Sequence, residues 1–335
     1  MAAVVIEDKA DIAKQTAAIL ESFDLLRKVG SGTRVFLKPN LTYPRHKPGV
    51  TTNPRFIKDV VKTFRELGAT VTIGEGDGGY GAWSAELAFE GHGLPNLCRE
   101  FGVRLVNLST APSRLTEIEV LGDAYREYLP IELLEDTDLF VTLPVPKIHA
   151  MTVYSGAVKN QWGCIPDKLR LRRHPDFVGL VWAVNMAVKP QLVLGDAEYV
   201  LNRSGPLVGD PIYMNRFIAS DDILAFDVAV SQRLMGLNAE QIPYLKAGKD
   251  LAPYRWSANS IEDGSTGPRQ RFFLHRSLRH QLTAAAFPRQ WAVNLLWFSP
   301  LGDLAHRALY AIAGNPIAEE RAGVEASRRA TKDSR

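Results

Sequence analysis

Three side chains that could carry chemistry follow one short apolar run near the middle of the chain. Residues 139–143 read Leu-Phe-Val-Thr-Leu, a composition typical of a buried parallel strand. Two prolines end the run, because proline cannot donate to a sheet ladder. Lys147, His149 and Lys159 come next. Ligands of open α/β sheets bind beyond the carboxyl ends of the strands, where this cluster falls.

The three residues fit acid/base work on a small anionic molecule, so they are the predicted catalytic residues. Histidine carries protons near neutral pH. Lysines neutralise carboxylate or phosphate, and a desolvated lysine beside other cations can act as a base or an amine nucleophile. The alternatives are a solvated loop with surface lysines and a packed or capping His149.

Three further strand ends carry polar pairs, namely Lys38/Asn40, Glu75/Asp77 and Asp196/Glu198. In one parallel sheet these ends share an edge, so we expect them to converge on the cluster at 147–160. The predicted substrate-binding residues are Lys38, Asn40, Asn160, Thr52 and Asn53. The predicted ligands of a divalent metal such as Mg²⁺ are Asp196, Glu198, Glu75 and Asp77. Asp221 and Asp222 could also bind a metal, but helix capping is the favoured interpretation.

Several familiar chemistries lack their motifs. The glycine-rich stretch 74–79 does not match the dinucleotide-binding pattern, and neither a phosphate loop nor a Gly-x-Ser-x-Gly elbow occurs. Two cysteines, Cys98 and Cys164, are too few for a four-cysteine zinc site or an iron–sulfur cluster, so no such cluster is expected. Cys164 could be a nucleophile beside His149, although buried filler is the favoured interpretation. The sequence leaves the identity of any cofactor undetermined, and a divalent metal is left open.

The order of elements predicts an α/β fold with a mostly parallel sheet flanked by helices, Rossmann-like, with a helical C-terminal extension. Strand, loop, helix, glycine and strand alternate through the first half of the chain, which is the βαβ rhythm. A helix is expected over 9–29, and short strands over 191–194 and 217–219. The predicted division is a core over 1–245, a loop over 246–271, a helical segment over 272–315 and a disordered tail over 316–335. A core made of two lobes that meet near 165–190 is left open as an alternative.

Composition excludes some classes of protein. The 335 residues are 46% apolar and 23% charged, which are ordinary globular values. A net charge of +3 is too small for a dedicated nucleic-acid binder, so no nucleic-acid partner is expected. The N-terminus lacks the features of a secretory signal, and no apolar run has membrane-spanning length. The predicted location is cytoplasmic.

A set of short motifs resembles domain-of-unknown-function family 362 over about 30–236. Its parts, in chain order, are Lys38-Pro39-Asn40-Leu41, Thr52-Asn53-Pro54, Pro146-Lys147-Ile148-His149, Val158-Lys159-Asn160 with Gly163, residues 205–209 and residues 219–222. Many members of that family resemble redox proteins through an appended ferredoxin-like cluster domain, whose cysteines this chain lacks. The order of motifs is more remotely similar to the N-terminal half of the nickel-pincer lactate racemase, which implies cofactor-holding and proton-moving roles for His149 and Lys159.

The predicted function is that of an enzyme acting on a small anionic or carbonyl-containing metabolite, in specialised metabolism, by acid/base or cofactor-assisted chemistry. An isomerase or lyase and an oxidoreductase are both left open. The alternatives are a non-catalytic binding or delivery protein and a metal- or redox-dependent oxidoreductase. The predicted partner is a small-molecule substrate, with a homodimer left open. The basic, aromatic segment 272–313 predicts either peripheral membrane contact or helices that dock on the core.

Overall fold

The computed structural model describes residues 2–78, 81–266 and 270–305, so the predicted tail over 316–335 lies outside the described residues. The strands are β1 (Ala3–Asp8), β2 (Arg34–Pro39), β3 (Thr70–Glu75), β4 (Arg104–Asn107), β5 (Ser113–Val120), β6 (Asp123–Pro130), β7 (Leu139–Leu143), β8 (Lys147–His149), β9 (Val153–Ser155), β10 (Leu192–Asn202), β11 (Asp210–Ser220) and β12 (Ser260–Asp263). The helices are α1 (Ile12–Ser22), α2 (Pro54–Glu66), α3 (Ala85–Gly91), α4 (Leu94–Phe101), α5 (Ile131–Leu134), α6 (Ala157–Asn160), α7 (Phe177–Val188), α8 (Ile223–Ala229), α9 (Pro243–Ala247), α10 (Leu278–Ala286) and α11 (Gln290–Phe298).

One large sheet organises the described part of the chain. Its main path runs β12-β1-β11-β10-β7-β2-β3-β4, while β8 joins through β10 and β9 pairs with β8. Along this path only the pairs made by β11 are antiparallel. β5 and β6 form a separate antiparallel pair. The predicted α/β fold with a mostly parallel sheet is confirmed.

The strand order reverses between β2 and β7. From β2 the chain proceeds outward through β3 and β4, and it then returns to place β7 on the other side of β2. At such a reversal the loops after neighbouring strands separate and leave a crevice beyond the carboxyl ends of the strands. The topology therefore places a crevice after Pro39 and Leu143.

Apolar side chains cover both faces of the sheet. Val35 and Leu37 of β2 belong to the hydrophobic core that includes α1, α2, α3 and α4. Phe36, between them, points to the other face and contacts Phe140 edge-on, with ring centroids 5.4 Å apart. That face is covered by α7, α8 and α9. Helices on both faces explain why the strands read as continuous apolar runs.

The observed elements differ from the predicted ones at four places. β1 precedes the predicted helix in a segment for which no strand is expected, and its apolar run is held between β11 and β12. The predicted loop over 246–271 contains β12, and the predicted helix over 9–29 is shortened to α1 and a 3₁₀ turn at Leu26–Lys28. β10 and β11 form a long antiparallel ladder that extends well past the predicted strands.

Within the described residues, the C-terminal extension is helical in α10, in α11 and over 300–305. Phe287 and Val293, from the end of α10 and from α11, pack on Leu171 of the preceding part of the chain. No helix within 2–78, 81–266 and 270–305 is both long and apolar enough to cross a membrane. The division of the core into two lobes stays a prediction.

Candidate functional site

A cavity of about 450 Å³ opens where the strand order reverses. It is lined by the segments that follow β2, β3 and β7, and by the region 155–174 that crosses over them. Its cations are Lys38, Lys147, Lys159, Lys168 and Arg170, its carboxylates are Glu75 and Asp77, and its histidines are His149 and His174. Because cations outnumber carboxylates, the cavity favours an anionic ligand, and its volume fits a small molecule.

Lys38 and Glu75 form a buried ion pair on the cavity floor. Lys38 Nζ lies 2.7 Å from Glu75 Oε1, and the Lys38 side chain is almost fully buried. Glu75 also accepts hydrogen bonds from the backbone N–H groups of Leu41 at 3.1 Å and Gly76 at 2.9 Å. A Cβ at Gly163 would collide with Glu75 Oε1 and lie 3.0 Å from Lys38 Nζ. The floor therefore depends on glycine at this position.

Asn160 links the floor to the crossing segment. Its side-chain amide donates to the Lys38 carbonyl at 3.1 Å and to Thr142 Oγ1 at 2.9 Å. These bonds tie α6 to the ends of β2 and β7. Asn160 lines the cavity as predicted, but its amide N–H groups serve the fold.

Lys147 is enclosed by protein. The residue is 1% exposed, and its Nζ donates to the carbonyl of Val50. Burial lowers the pKa of Lys147 to about 7, with Glu75 acting in the opposite direction. The amine is therefore divided between its charged and neutral forms near neutral pH.

His149 has its tautomer fixed by two backbone bonds. The N–H groups of Met151 and Thr152 donate to His149 Nδ1 at 3.1 and 3.3 Å. A ring nitrogen that accepts carries no proton, so neutral His149 bears its proton on Nε2. Burial first, and then Lys159 and Lys147, keep the pKa of His149 well below its usual value. His149 is thus a neutral hydrogen-bond donor, which makes the predicted role of proton carrier less suited to it than that of polarising an oxygen.

Thr152 connects His149 to Lys159. Its backbone N–H donates to His149, while its Oγ1 accepts from Lys159 Nζ at 3.2 Å. Lys159 Nζ also lies 5.8 Å from the ring centroid of Phe177. Burial, and then the charge of Lys147, lower the pKa of Lys159 well below the ordinary lysine value. No sequence motif indicates Thr152, because a threonine in a turn carries no signal of its own.

A buried carboxylate holds the loop that carries Lys159. Asp227 of α8 accepts from the N–H groups of Ala157 at 2.7 Å and Val158 at 2.9 Å, and from the hydroxyl of Tyr154 at 3.0 Å. Burial raises the pKa of Asp227 to about 7 against the effect of these donors. A Cβ at Gly156 would collide with Asp227 and Tyr154. Asp227 therefore fixes the start of α6.

Arg170 and His174 complete the wall of the cavity. Arg170 donates to the carbonyls of Ile165 at 2.8 Å and Asp77. His174 packs among aromatic rings, 5.6 Å from Trp162 and 4.6 Å from Phe287 by ring centroid. Burial lowers the pKa of His174 to about 4. The basic run over 168–174 is visible in the sequence, but its position in the cavity wall could not be predicted from it.

The four predicted metal ligands are not brought together. Glu75 is paired with Lys38, and Asp77 Oδ1 accepts from the N–H of Ala85 at 2.9 Å and from Asn107 at 2.9 Å. Asp196 and Glu198 lie inside β10, away from the cavity lining. Within the described ranges, no three His, Cys, Asp or Glu side chains are grouped to hold a metal ion.

Asp196 and Glu198 instead hold α2 and Lys9. Lys9 Nζ contacts Glu198 Oε2, and the Asn53 side chain donates to the same oxygen at 3.0 Å. Asp196 Oδ2 accepts from the Asn53 backbone N–H at 2.7 Å. The structure thus places both carboxylates in a structural cluster, because the long ladder of β10 carries them past the strand end.

Thr52 and Asn53 also serve the fold. Thr52 Oγ1 donates to the Leu143 carbonyl at 2.7 Å and accepts from the Asn40 N–H at 2.9 Å. Asn53 caps α2 by accepting from Arg55 at 2.9 Å. Neither lines the cavity, whereas Asn40 does. Thr52 fixes the end of β7 against the segment that presents Asn40.

Two further interpretations are decided by burial and hydrogen bonding. Cys164 is fully buried, and burial raises the pKa of its thiol to about 12, so it is unsuited to be a nucleophile. Asp222 caps α8 by accepting from Leu224 at 2.8 Å and Ala225 at 3.0 Å. The favoured interpretation of each residue, as filler and as cap, agrees with the structure.

The fold is that of an α/β protein with a cavity at a reversal of strand order. The chain belongs to the family described as Domain of unknown function (DUF362), which it matches over residues 35–232. It is 26% identical over 232 residues to a thylakoid-associated protein of Synechocystis sp., covering 67% of this chain and 69% of the relative. A solved structure from Thermotoga maritima is 15% identical, with a TM-score of 0.38, over 62% of this chain and 55% of the other. The similarity to lactate racemase stays a prediction.

Proposed function

We propose that the protein is an enzyme that binds a small anionic, carbonyl-containing metabolite in the strand-end cavity and moves a proton to or from the carbon next to its carbonyl. The observation that carries this proposal is the grouping of Lys147, Lys159 and His149. Two amines with lowered pKa face one cavity with a histidine whose Nε2 bears its proton. Isomerase and lyase chemistry both use such a set.

The roles follow from the protonation states. One neutral amine of the lysine pair takes the proton, because a base works best when its pKa lies near the ambient pH. His149 Nε2–H donates to the carbonyl oxygen, where negative charge develops. A neutral histidine that polarises a carbonyl in this way needs no imidazolium. The surrounding cations bind the carboxylate or phosphate of the metabolite.

Hydrogen exchange in heavy water tests the proposal without knowledge of the product. The probes are pyruvate, lactate, oxaloacetate, malate and dihydroxyacetone phosphate, and proton NMR follows the signal of the carbon beside the carbonyl or hydroxyl. We expect enzyme-dependent exchange for at least one probe, lost in Lys159→Gln and His149→Gln. The exposed His275→Gln is the matched control. Exchange that survives in both site variants would rule out this assignment.

A second candidate function, peripheral attachment to an anionic membrane, is favoured by the surface of α10 and α11. Leu278 and Leu282 of α10 are 72% and 64% exposed, and Trp291 of α11 is 67% exposed. Residues four apart share a helix face, so Leu278 and Leu282 form an exposed apolar stripe on α10. Leu295, which is 45% exposed, extends the exposed face of Trp291 on α11. Residues 270–305 contain four arginines and one carboxylate. This charge complements anionic lipid, and the Synechocystis relative is described as thylakoid-associated.

Part of the extension docks on the core, since Phe287 and Val293 are buried against Leu171. The membrane proposal concerns only its exposed side. Flotation with vesicles of phosphatidylcholine alone, and mixed with phosphatidylglycerol, tests it. We expect binding only to the anionic vesicles, weakened in Leu282→Glu and Trp291→Glu and kept in the control Tyr213→Glu. Absence of flotation would contradict the proposal, and dimerisation through this face would appear as a larger species on a sizing column. A cytoplasmic location remains part of the proposal.

A further inference from the structure

Lys159 is the cavity lysine whose surroundings best suit an uncharged amine. Among the described residues its Nζ lies within ion-pair distance of no carboxylate, in contrast to Lys38, which is paired with Glu75. Its contacts are Thr152 Oγ1 at 3.2 Å and the face of Phe177 at 5.8 Å. Both contacts are weak partners for an ammonium group, and neither supplies the full negative charge that would offset its desolvation.

The titratable groups around Lys159 come from two elements. Lys147 and His149 belong to β8, and His174 precedes α7. None is an anion, and burial together with Lys147 lowers the pKa of Lys159 well below the ordinary lysine value. A lysine desolvated beside a second cationic group is an activated nucleophile toward carbonyl carbon.

The two lysines differ in access. Lys147 is 1% exposed, and its Nζ is directed at the Val50 carbonyl. Lys159 is only partly buried and lines the cavity. Both amines line the cavity, and that of Lys159 is the more accessible to a ligand's carbonyl group, while Lys147 lies close enough to act on its charge.

We propose that Lys159 forms an imine with a 2-oxo acid bound in this cavity, an inference that rests on the proposed function and names its substrate class. The Lys159 nitrogen attacks the carbonyl carbon, and the new C–N bond becomes C=N as the carbonyl oxygen leaves. The two protons of the amine depart with that oxygen as water. His149 Nε2–H donates to the oxygen during the attack, and cations of the cavity hold the carboxylate.

Formation of the imine gives the second amine, that of Lys147, a chemical role. Once its nitrogen takes up a proton from solvent water, the imine withdraws electrons from the adjacent carbon, so the C–H bond there loses a proton more readily than that of the free oxo acid. Lys147, with a pKa of about 7, is the nearby base that can take this proton. A 2-oxo acid is the class that offers both a carbonyl for Lys159 and an anionic group for the remaining cations.

Borohydride trapping tests the inference. The full chain is incubated with pyruvate, oxaloacetate or 2-oxoglutarate, and sodium borohydride then delivers hydride to any imine and fixes it as a secondary amine. Peptide mass spectrometry locates the adduct. We expect it on Lys159 with at least one acid, absent in Lys159→Gln and Lys159→Met and kept in the exposed control Lys246→Gln. Thermal unfolding of each variant confirms that it is folded.

Oxalate binding, measured by calorimetry, separates this inference from the proposed function. Oxalate is a planar dianion that cannot form an imine. Wild-type protein that exchanges hydrogen or binds oxalate, yet yields no adduct on Lys159, would overturn the imine and leave the proposed function standing. Labelling of exposed lysines such as Lys14 to the same extent as Lys159 would overturn it too. Absence of adduct, exchange and oxalate binding together would contradict both.

Discussion

At the scale of single residues, Thr152 is the connection between the two groups with which the proposed chemistry begins. Its backbone orients His149 by donating to Nδ1, and its hydroxyl accepts from Lys159 Nζ. The side chain and the main chain of one residue therefore fix a proton donor and an amine relative to each other. Thr152 is a positioning residue rather than a catalytic one.

Thr152→Val should separate the orientation of His149 from the contact with Lys159. Valine keeps the shape and the backbone bond to His149 but removes the oxygen that Lys159 contacts. Loss of one hydrogen bond corresponds to oxalate binding that is about three- to tenfold weaker by calorimetry. Thr152→Ser, which restores the oxygen, should recover wild-type affinity. Equal affinities in the valine and serine variants would contradict the assignment.

The predicted residues that lie in the cavity share one property, which is that they are at or soon after a strand end. Lys147 and His149 lie within six residues of the end of β7, and Lys38 is the last residue but one of β2, so the sheet alone carries them to the cavity. Asn53 and Asp196 could not be assigned in this way. They contact each other across 143 positions of the chain, and that contact makes both of them structural. The tautomer of His149 likewise depends on turn geometry that no motif encodes.

At the scale of elements, the cavity floor is a close approach of two loops. Gly163 lies over the Lys38–Glu75 pair, and Gly76 lies so close to Gly163 that a Cβ on it would lie 2.5 Å from the Gly163 carbonyl oxygen. The loop after β3 and the turn after α6 therefore pack backbone to backbone. Side chains at either position would lift the crossing segment off the floor.

Gly163→Ala should disturb this contact. The added methyl group must displace Glu75 or Lys38, and disturbing a buried ion pair is costly, so we expect a loss of about 1–3 kcal/mol in the free energy of unfolding. Urea denaturation measures it. Gly30→Ala is the control, because a Cβ there meets nothing within 4 Å. Equal stabilities of the two variants would show that the floor tolerates a side chain.

At the scale of the whole molecule, Lys147 is a buried amine that lowers the stability of the folded protein near neutral pH. Its pKa is about 7 in the folded protein and about 10.4 in an unfolded chain. Between those values the unfolded chain binds more protons, so the stability contributed by this group is lowest at and below pH 7 and rises toward pH 10. Burial of an amine in this way is expected where chemistry, rather than folding, requires it.

Lys147→Met should therefore stabilise the protein at neutral pH. We expect a gain of about 1–3 kcal/mol in the free energy of unfolding at pH 7 that shrinks toward pH 10, together with loss of hydrogen exchange activity. Urea denaturation at pH 7 and pH 9.5 measures the difference, with the exposed Lys246→Met as control. A variant that is destabilised equally at both pH values would contradict the low pKa.

The sheet could be predicted from local patterns, but not its edge. β2 and β7 contain apolar runs, and β3 alternates threonine with Val71 and Ile73; such short β-branched and apolar segments between turn residues identify buried strands. β1 and β12 owe their conformation to pairing with partners far along the chain, which local composition does not reveal. The reversal between β2 and β7, which creates the cavity, is likewise a property of strand order.

The proposed chemistry depends most on Lys159, whose pKa burial and the charge of Lys147 lower well below the ordinary lysine value. Competitive acetylation with trace anhydride, followed by peptide mass spectrometry across pH, measures the titration of each lysine. The groups facing Lys159 are Lys147, His149 and His174, and none of them favours its charged form. We predict that Lys159 titrates well below Lys14, whose side chain is 86% exposed. Acetylation of Lys159 and Lys14 with the same pH dependence would contradict the proposed role of Lys159.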